Sequence, residues 1–285
     1  MKRIGITIKP DDDRALALAA ELCDWLKQRG CAVFTDEQNI KGSCSGQSLS
    51  LEKMPTEVEL MIVLGGDGTL LTVGRRFIGH DTPILGINLG RLGFLTDTPV
   101  GSMFDVVEEV FAGNTKTKRH FGLKAESWRG DKKLSSGFAM NDVVLQRNEH
   151  PRMIEFEMSV RGHFVFRLRA DGLVLATPAG STAYALSAGG PIVHPDVNAI
   201  CVAPICPHIL SNRPIVVPAD DAIELTLIES PKMAALNLDG QEHMDLQVGD
   251  RITISKGGDI TLVYLPDRHY YETLRSKLHW AGHEE

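Results

Sequence analysis

No run of apolar residues in this 285-residue chain approaches the roughly 18 that a membrane-spanning helix needs, so no such helix is expected. The opening stretch Met1–Asp13 offers only about five apolar residues before charge returns, too few for the hydrophobic region of an export signal. Cysteine is scarce and unpatterned. Cys23, Cys31, Cys44, Cys201 and Cys206 are odd in number and form no CxxC, which excludes a disulfide framework and points to reduced thiols in a chain large enough to build its own core. A cationic surplus is also missing: 30 Lys and Arg stand against 37 Asp and Glu, and no basic stripe interrupts the acidic balance. Binding to nucleic acid is therefore not expected, and any phosphate ligand must be held by helix N-termini or a few placed cations. Without a Gly-Lys dipeptide the chain lacks the GxxxxGK[ST] phosphate loop. It has no HExxH, no Cys/His set at metal-ligand spacing, and Ser181 lies in Ala179-Gly180-Ser181-Thr182-Ala183 rather than in GxSxG. These absences leave a cytoplasmic protein with neither a nucleic-acid nor a membrane partner.

What is present is a globular composition, 43% hydrophobic and 24% charged, at a length that suggests two domains. The first hundred residues alternate short apolar runs with amphipathic stretches. Ile4–Ile8, Cys31–Thr35, Leu60–Leu64 and Pro83–Ile87 predict strands; the continuous apolar run Leu60–Leu64 suits a strand buried on both faces. Asp11–Asp13 offer N-cap carboxylates to a helix whose face carries Ala15, Leu18, Ala19, Leu22, Trp25 and Leu26 and which stops near Gly30. Further helices are predicted through Leu70–Phe77 and over Met103–Phe111, the latter ended by Gly113. Residues 37–56, rich in Ser, Gly and polar groups, predict a long mobile loop. This rhythm predicts an α/β first domain, 1–117, with a doubly wound, mostly parallel sheet. Lys116–Arg119 reads as a linker. Beyond it, Ile154, Phe156, Met158 and Val160 alternate with polar neighbours, Arg161-Gly162 marks a hairpin turn, and Phe164–Arg169, Leu173–Thr177, Ile223–Ile228, Leu236–Asp239, Ile252–Ser255 and Thr261–Leu265 continue the pattern. A β-rich second domain over 118–267 follows, with a helical segment, 268–285, packing back on the first.

Three clusters carry chemistry. Gly65-Gly66-Asp67-Gly68-Thr69 follows a buried strand and precedes a helix, the place where an open α/β sheet binds ligands and where helix amides meet phosphate. Gly66-x-Gly68 finds Leu71 at the third glycine position, so the dinucleotide fingerprint of a hydride-transfer enzyme is broken. A carboxylate repels phosphate, so Asp67 either caps the helix or orients and deprotonates a substrate hydroxyl. Asn141-Asp142, between apolar strand residues, suits the two hydroxyls of a ribose or else forms a structural turn. Arg169-Ala170-Asp171-Gly172 and the run Thr177–Pro191 gather small and hydroxyl residues that let a ligand approach the backbone. There Ser181 or Thr182 could cap a short helix, and Tyr184 could stack on a flat ring or belong to the core.

Taken in order, these clusters resemble a bacterial NAD kinase across nearly the whole chain: the GGDGT loop, the stretch Gly86–Asp97, the Asn-[Glu/Asp] pair, the run TPxGSTAYxLSAGGP and the turn Asp239-Gly240-Gln241. The GGDG loop alone is shared with phosphofructokinase-like and diacylglycerol-kinase-like proteins, whereas the TPxGSTAY run is far more specific. The resemblance implies an α/β domain joined to a β-rich NAD-binding domain. It also implies transfer of the γ-phosphate of ATP, with a divalent cation (Mg²⁺), to the 2′-hydroxyl of the adenosine ribose of NAD, giving NADP. By resemblance Asp67 is the catalytic residue and, with Gly68, contacts NAD, while Gly65, Gly66, Gly68 and Thr69 form the phosphate loop. Asn141 and Asp142 match the ribose-binding pair, and Arg152 a contact that varies among His, Arg and Lys. Arg169 and Asp171 match a further binding pair. Thr182, Ala183, Tyr184, Ala185, Leu186 and Ser187 match the stretch that touches NAD, and Gln241 a late contact. Asp142 stands one methylene short of the usual glutamate, and Ala179 replaces a frequent threonine. The resemblance further implies a dimer or tetramer. A lipid or sugar kinase sharing the GGDG loop, or a catalytically silent NAD-binding sensor, are the alternatives.

Overall fold

The fold is that of a computed structural model, which describes residues 3–40, 42, 44–90, 92–148, 152–209, 211–266 and 269–280. Arg268 of the expected C-terminal helical segment, Arg91 of the Gly86–Asp97 stretch, and Lys41 and Ser43 of the expected loop lie outside the described residues. Two compact units are formed, Met1–Arg119 together with Ile260–Glu285, and His120–Asp259.

The first unit opens with β1 (Arg3–Ile8), α1 (Asp13–Gln28), β2 (Ala32–Asp36), β3 (Gln47–Leu49) and α2 (Met54–Glu57). It continues with β4 (Leu60–Gly65), α3 (Asp67–Phe77), β5 (Pro83–Asn88), β6 (Thr98–Pro99) and α4 (Met103–Ala112). Its strands pair in parallel in the order β5-β4-β1-β2-β3, with β6 and the later residues Thr261 and Leu262 also parallel to β5. Alternation along a strand sends Ile4, Ile6 and Ile8 to one face, where they meet Ala15, Ala19, Leu22 and Leu26 of α1 and Val106, Val107 and Val110 of α4. Fully burying each such aliphatic side chain contributes about 1.5–3 kcal/mol. Helix α3 covers the other face, where a Cβ on Gly86 would press on Leu70. Asp12 starts α1 by accepting from Ala15 N (3.1 Å), and Gly113 stops α4 in the left-handed region at φ 76°. The chain reaches β2 on one side of β1 and β4 on the other, so strand order reverses between β1 and β4. That switch point is where this kind of sheet leaves a crevice.

The chain crosses from the first unit into the second within β7 (Lys116–Arg129), and β8 (Lys132–Ala139), β9 (Asp142–Arg147), β10 (Ile154–Val160), β11 (His163–Ala170) and β12 (Gly172–Ala176) follow. After α5 (Tyr184–Ser187) come β13 (Ala199–Ile205), β14 (Ile215–Pro218), β15 (Ile223–Glu229), β16 (Ala234–Leu238), β17 (Glu242–Leu246) and β18 (Arg251–Tyr264); α6 (Tyr270–Leu278) ends the elements. One antiparallel sheet runs β14-β13-β12-β9-β16-β17. A second antiparallel array sets β11, β10, β15 and β18 side by side. Leu145, Leu173, Leu175 and Leu236 of the first meet Phe156, Met158, Leu225 and Ile252 of the second in one core. The middle strands of the six-stranded sheet are buried on both faces. Val144, Val174, Cys201 and Ala203 pack on the far side against Ala185 and Val193, which explains why β12 reads Gly-Leu-Val-Leu-Ala without alternation.

Four expectations change. Lys116–Arg119 is the start of β7 and not a linker. Residues 37–56 contain β3, parallel to β2, and α2, whose Met54 is buried; Ile40 is buried as well, and these apolar anchors tie down a segment whose composition reads as loop. Ile252–Ser255 and Thr261–Tyr264 belong to the single strand β18, which runs on through the intervening Lys256–Ile260 and stops before Leu265. Residues 260–266 group with the first unit rather than with the β-rich one, since Thr261 and Leu262 pair with β5.

Candidate active site

At the switch point of the first unit lies a cavity of about 530 Å³. Thr7, Ile8 and Lys9 line it from the end of β1, Gly65 and Gly66 from the end of β4, and Gly68 and Thr69 from the first turn of α3. All four phosphate-loop candidates thus face one cavity. Gly66 caps α3 without a side-chain hydrogen bond, so the helix turns its partial positive end toward the cavity. Asn39, Asn88 and Gly90 also line it; Asn88 and Gly90 belong to the Gly86–Asp97 stretch, whereas no motif marked Asn39 in the sequence. Lys9, 3.5 Å from Asp12, is the cation at the rim.

Asp67 occupies the first helical position, yet its carboxylate turns into the loop that follows β5. Oδ2 accepts from Phe94 N (2.8 Å), while Oδ1 accepts from Leu95 N (3.2 Å), Thr96 N (2.9 Å) and Thr96 Oγ1 (2.8 Å). Gly93 makes this possible, because a Cβ there would overlap the Asp67 carboxylate. Asn88 fixes the same loop by donating to Thr96 O and Oγ1. Burial, with Asp97 and Asp67 adding to it, pushes the Tyr264 phenol up, so the group beside these carboxylates stays a neutral hydroxyl.

In the second unit the Asn141-Asp142 turn sits between β8 and β9 and is held from two sides. Asp239 accepts from Met140 N (2.8 Å), Asn141 N (2.7 Å) and Asp142 N (3.1 Å). It does so from a left-handed conformation, φ 53°, at the turn after β16. Thr177 donates its amide to Asn141 O (2.8 Å) and its hydroxyl to Met140 O (2.7 Å). Gly180 passes so close that a Cβ would overlap the carbonyl of Asn141. The turn lines a cavity of about 410 Å³ together with Val144 and Gln146, with Ala183 and Tyr184, and with Asn237, Asp239 and Gly240. Of the residues lining this cavity, two have a buried polar atom without a hydrogen-bond partner among the described residues, Asn141 at Oδ1 and Asn237 at Nδ2. A buried acceptor left unmet costs about 1–3 kcal/mol, which a ligand hydroxyl would recover. Burial, and then the Asp239 carboxylate, push Asp142 up to about 7.

The match to known proteins covers both units. A sequence profile for the ATP-NAD kinase N-terminal domain fits residues 4–115, and one for the ATP-NAD kinase C-terminal domain fits residues 140–264. The chain belongs to the NAD kinase family. It is 43% identical to the NAD kinase of Thiobacillus denitrificans over 281 residues, 98% of this chain and 97% of that one. It is 42% identical to the NAD kinase of Magnetococcus marinus over 286 residues, 99% and 94% of the two chains. Among solved structures, a yeast NADH kinase complexed with NADH superposes with a TM-score of 0.92 at 27% identity, covering 100% of this chain and 89% of that one. An NAD kinase from Archaeoglobus fulgidus in complex with ATP gives 0.76 at 26% identity, covering 98% and 100%. NAD kinase membership makes the chain an ATP-dependent kinase of NAD and does not favour the lipid-kinase, sugar-kinase or silent-sensor alternatives.

The positions carried over from NAD kinases fall in several places. Asn141, Asp142, Ala183 and Tyr184 share the second-unit cavity. Ala185 lies beneath it in the core, Leu186 is half-buried beside it, and Ser187 is exposed. Thr182 donates to Ala179 O (3.3 Å). Ser181 caps no helix: wholly buried, it bonds Pro178 O and Val193 O and accepts from Val193 N. Asp171 pairs with Arg147 (2.8 Å), while Arg169 and Arg152 are exposed. Gln241, exposed, follows the Asp239-Gly240 turn. Val144, Gln146 and Asn237, which no sequence motif marked, join the lining because β9 and β16 pair.

Proposed function

We propose that the first-unit cavity takes ATP, with Gly65, Gly66, Gly68 and Thr69 around its phosphates. In this proposal Asp67 orients the 2′-hydroxyl of the adenosine ribose of NAD, and the Asn141-Asp142 turn holds NAD ribose hydroxyls. What carries the proposal is the uncapped N-terminus of α3, opening on a cavity at the switch point with Asp67 as its first helical residue. In the transfer, the bond from the γ-phosphorus to the oxygen of ADP breaks as a bond to the 2′-oxygen forms. The hydroxyl proton passes to Asp67. Oδ2 is the receiving atom, because it has a single donor while Oδ1 already has three. The transition state of such a transfer needs positioning and charge neutralisation more than covalent help.

Among the described residues no three His, Cys, Asp or Glu side chains converge on one point. In the proposal Mg²⁺ enters on the phosphates of ATP as part of the substrate and supplies charge neutralisation there. The same proposal includes the remaining contacts to NAD by Arg152, Arg169, Asp171, Thr182–Ser187 and Gln241, and assembly as a dimer or tetramer, which sedimentation would read. It also includes a cytoplasmic site of action, which five unbridged thiols fit; among the described residues no helix is long and apolar enough to cross a membrane.

The testing experiment is a coupled assay with purified protein, ATP, Mg²⁺ and NAD, read through an NADP-specific dehydrogenase. Signal that requires all three additions is expected. NAD binding by calorimetry with no NADP formed would overturn the phosphoryl-transfer assignment of Asp67.

A further inference from the structure

We propose that Asn39 is the residue that selects the base of the nucleotide in the first-unit cavity, accepting a hydrogen bond from the exocyclic amino group of adenine, and that buried Asp36 is the positioning residue that fixes it. The inference rests on the assignment of ATP to that cavity.

Three donors converge on the Asp36 carboxylate. Thr7 Oγ1 donates to Oδ2 at 2.6 Å, Asn39 Nδ2 to Oδ2 at 2.8 Å, and Gln38 N to Oδ1 at 3.1 Å. The backbone closes the same turn through Ile40 N to Asp36 O (2.9 Å). An amide side chain has two faces that a half-turn exchanges, and only its partners fix which is which. Here the partner decides the matter: a carboxylate accepts and an amide oxygen cannot donate, so nitrogen must face Asp36. The second hydrogen of Nδ2 points to Thr7 Oγ1 at 3.5 Å. Both N–H groups are thereby engaged, and among the described residues nothing donates to Asn39 Oδ1. A side chain that could offer either donor or acceptor is locked to offer an acceptor.

Its place in the fold suits a base. Asn39 follows β2 and lines the cavity whose opposite wall is the glycine loop after β4. β1 lies between those strands, so the two walls stand about 10 Å apart at a strand spacing of about 4.8 Å. That is the scale of a nucleoside stretched from its phosphate to the edge of its base. Adenine presents an amino donor at the position where guanine and hypoxanthine present a carbonyl acceptor. A locked acceptor binds the first and repels the other two. A ribose hydroxyl, able to donate and accept, would gain from Asn39 without any preference among bases.

The test compares ATP with ITP as phosphate donors to NAD in wild type, Asn39→Ala and Asp36→Asn, with thermal melts to verify folding. In wild type kcat/KM is expected to favour ATP. Asn39→Ala should lower kcat/KM for ATP by about tenfold, the scale of one hydrogen bond to a matched group, and raise that for ITP as the repulsion is relieved. Asp36→Asn should shrink the same ratio, through KM for ATP rather than kcat, because it frees the amide of Asn39 to turn. Equal losses for ATP and ITP in Asn39→Ala, or a wild-type enzyme that does not prefer ATP, would overturn the inference while leaving the kinase assignment intact. A wild-type protein that uses neither donor would instead bring down the assignment of the cavity.

Discussion

Asp67 accepts from a loop on one side and, as proposed, from a substrate hydroxyl on the other, so its geometry depends on Gly93 as much as on its own carboxyl. Asp67→Asn is expected to lower kcat by about 10²-fold or more, the usual share of a positioned base. Gly93→Ala leaves the carboxylate in place chemically but puts a methyl group where it sits. Its kcat should fall with that of Asp67→Asn, while NAD binding, read by calorimetry, changes little; a normal kcat would detach the 93–96 loop from catalysis. Asp142 supplies a prediction of the opposite kind. Its pKa in the fold is about 7, above the ordinary 3.8, so the folded protein holds a proton there that the unfolded chain has given up. The stability this confers is complete below about pH 4 and is lost as pH rises through 7. Asp142→Asn should therefore gain in Tm relative to wild type at pH 8 and gain little at pH 4. Hydroxyls donated by NAD favour the ionised form, so NAD binding to wild type near neutral pH should release protons. Calorimetry in buffers of different ionisation enthalpy would read that release, and its absence would place Asp142 away from the ligand.

At the scale of elements, the ribose-binding candidate is a turn clamped between two others. Asp239 takes three of its amides and the Thr177–Gly180 segment packs on its carbonyls. Gly180→Ala forces the two segments apart and should destabilise the second unit by about 1–3 kcal/mol, as overpacking does, with a matching rise in Kd for NAD. Denaturant melts and calorimetry together check this; a stable variant with normal Kd would show that the clamp is dispensable. The elements also set what the sequence could disclose. Leu60–Leu64 and the alternating Ile154–Val160 announce themselves because burial follows a local period, and Asp12 and Gly113 mark helix ends by local chemistry. The 93–96 cradle does not, since backbone amides have no sequence signature. Asn39, Gln146 and Asn237 are equally silent, for each reaches its cavity through a strand pairing distant in the chain. Ile40 and Met54 illustrate the converse: two apolar anchors were enough to order a stretch that composition presents as loop. The glycine loop and the GSTAY run were legible as motifs, and their roles came by resemblance rather than by geometry.

For the molecule as a whole, the two units differ in how the chain supplies them. The second is one continuous stretch, His120–Asp259, whereas the first borrows Ile260–Glu285. Val263 packs into the first unit's core, and Leu274 of α6 is buried. A chain ended after Asp259 should leave the first unit exposed to protease and yield a resistant fragment starting near residue 120; survival of the N-terminal 119 residues instead would contradict the division. The second unit has its own acid weakness. Asp250, fully buried, accepts from Arg129 Nε (2.8 Å) and Nη2 (2.9 Å) and from Gln247 N (2.8 Å). The guanidinium and the Gln247 amide outweigh the cost of burial and hold its carboxyl below the usual range. Its contribution is present above about pH 4 and fades as pH falls through the lowered value. Asp250→Ala should cost about 2–3 kcal/mol at pH 7, less than a fully buried pair because Arg129 is half-exposed, and less than that in acid, as urea melts would read.

The borrowed strand also sets an order of events during synthesis. The ribosome delivers residues at about 5–20 per second, and β1 is made before every other strand of its sheet, yet that sheet lacks its last strand until Thr261 and Leu262 have been made. The second unit, complete at Asp259, can close while the earlier half of the chain is still waiting. The half that is made first is thus finished last, and the start of β5 gains its last parallel neighbour only after the whole of the second unit has been made.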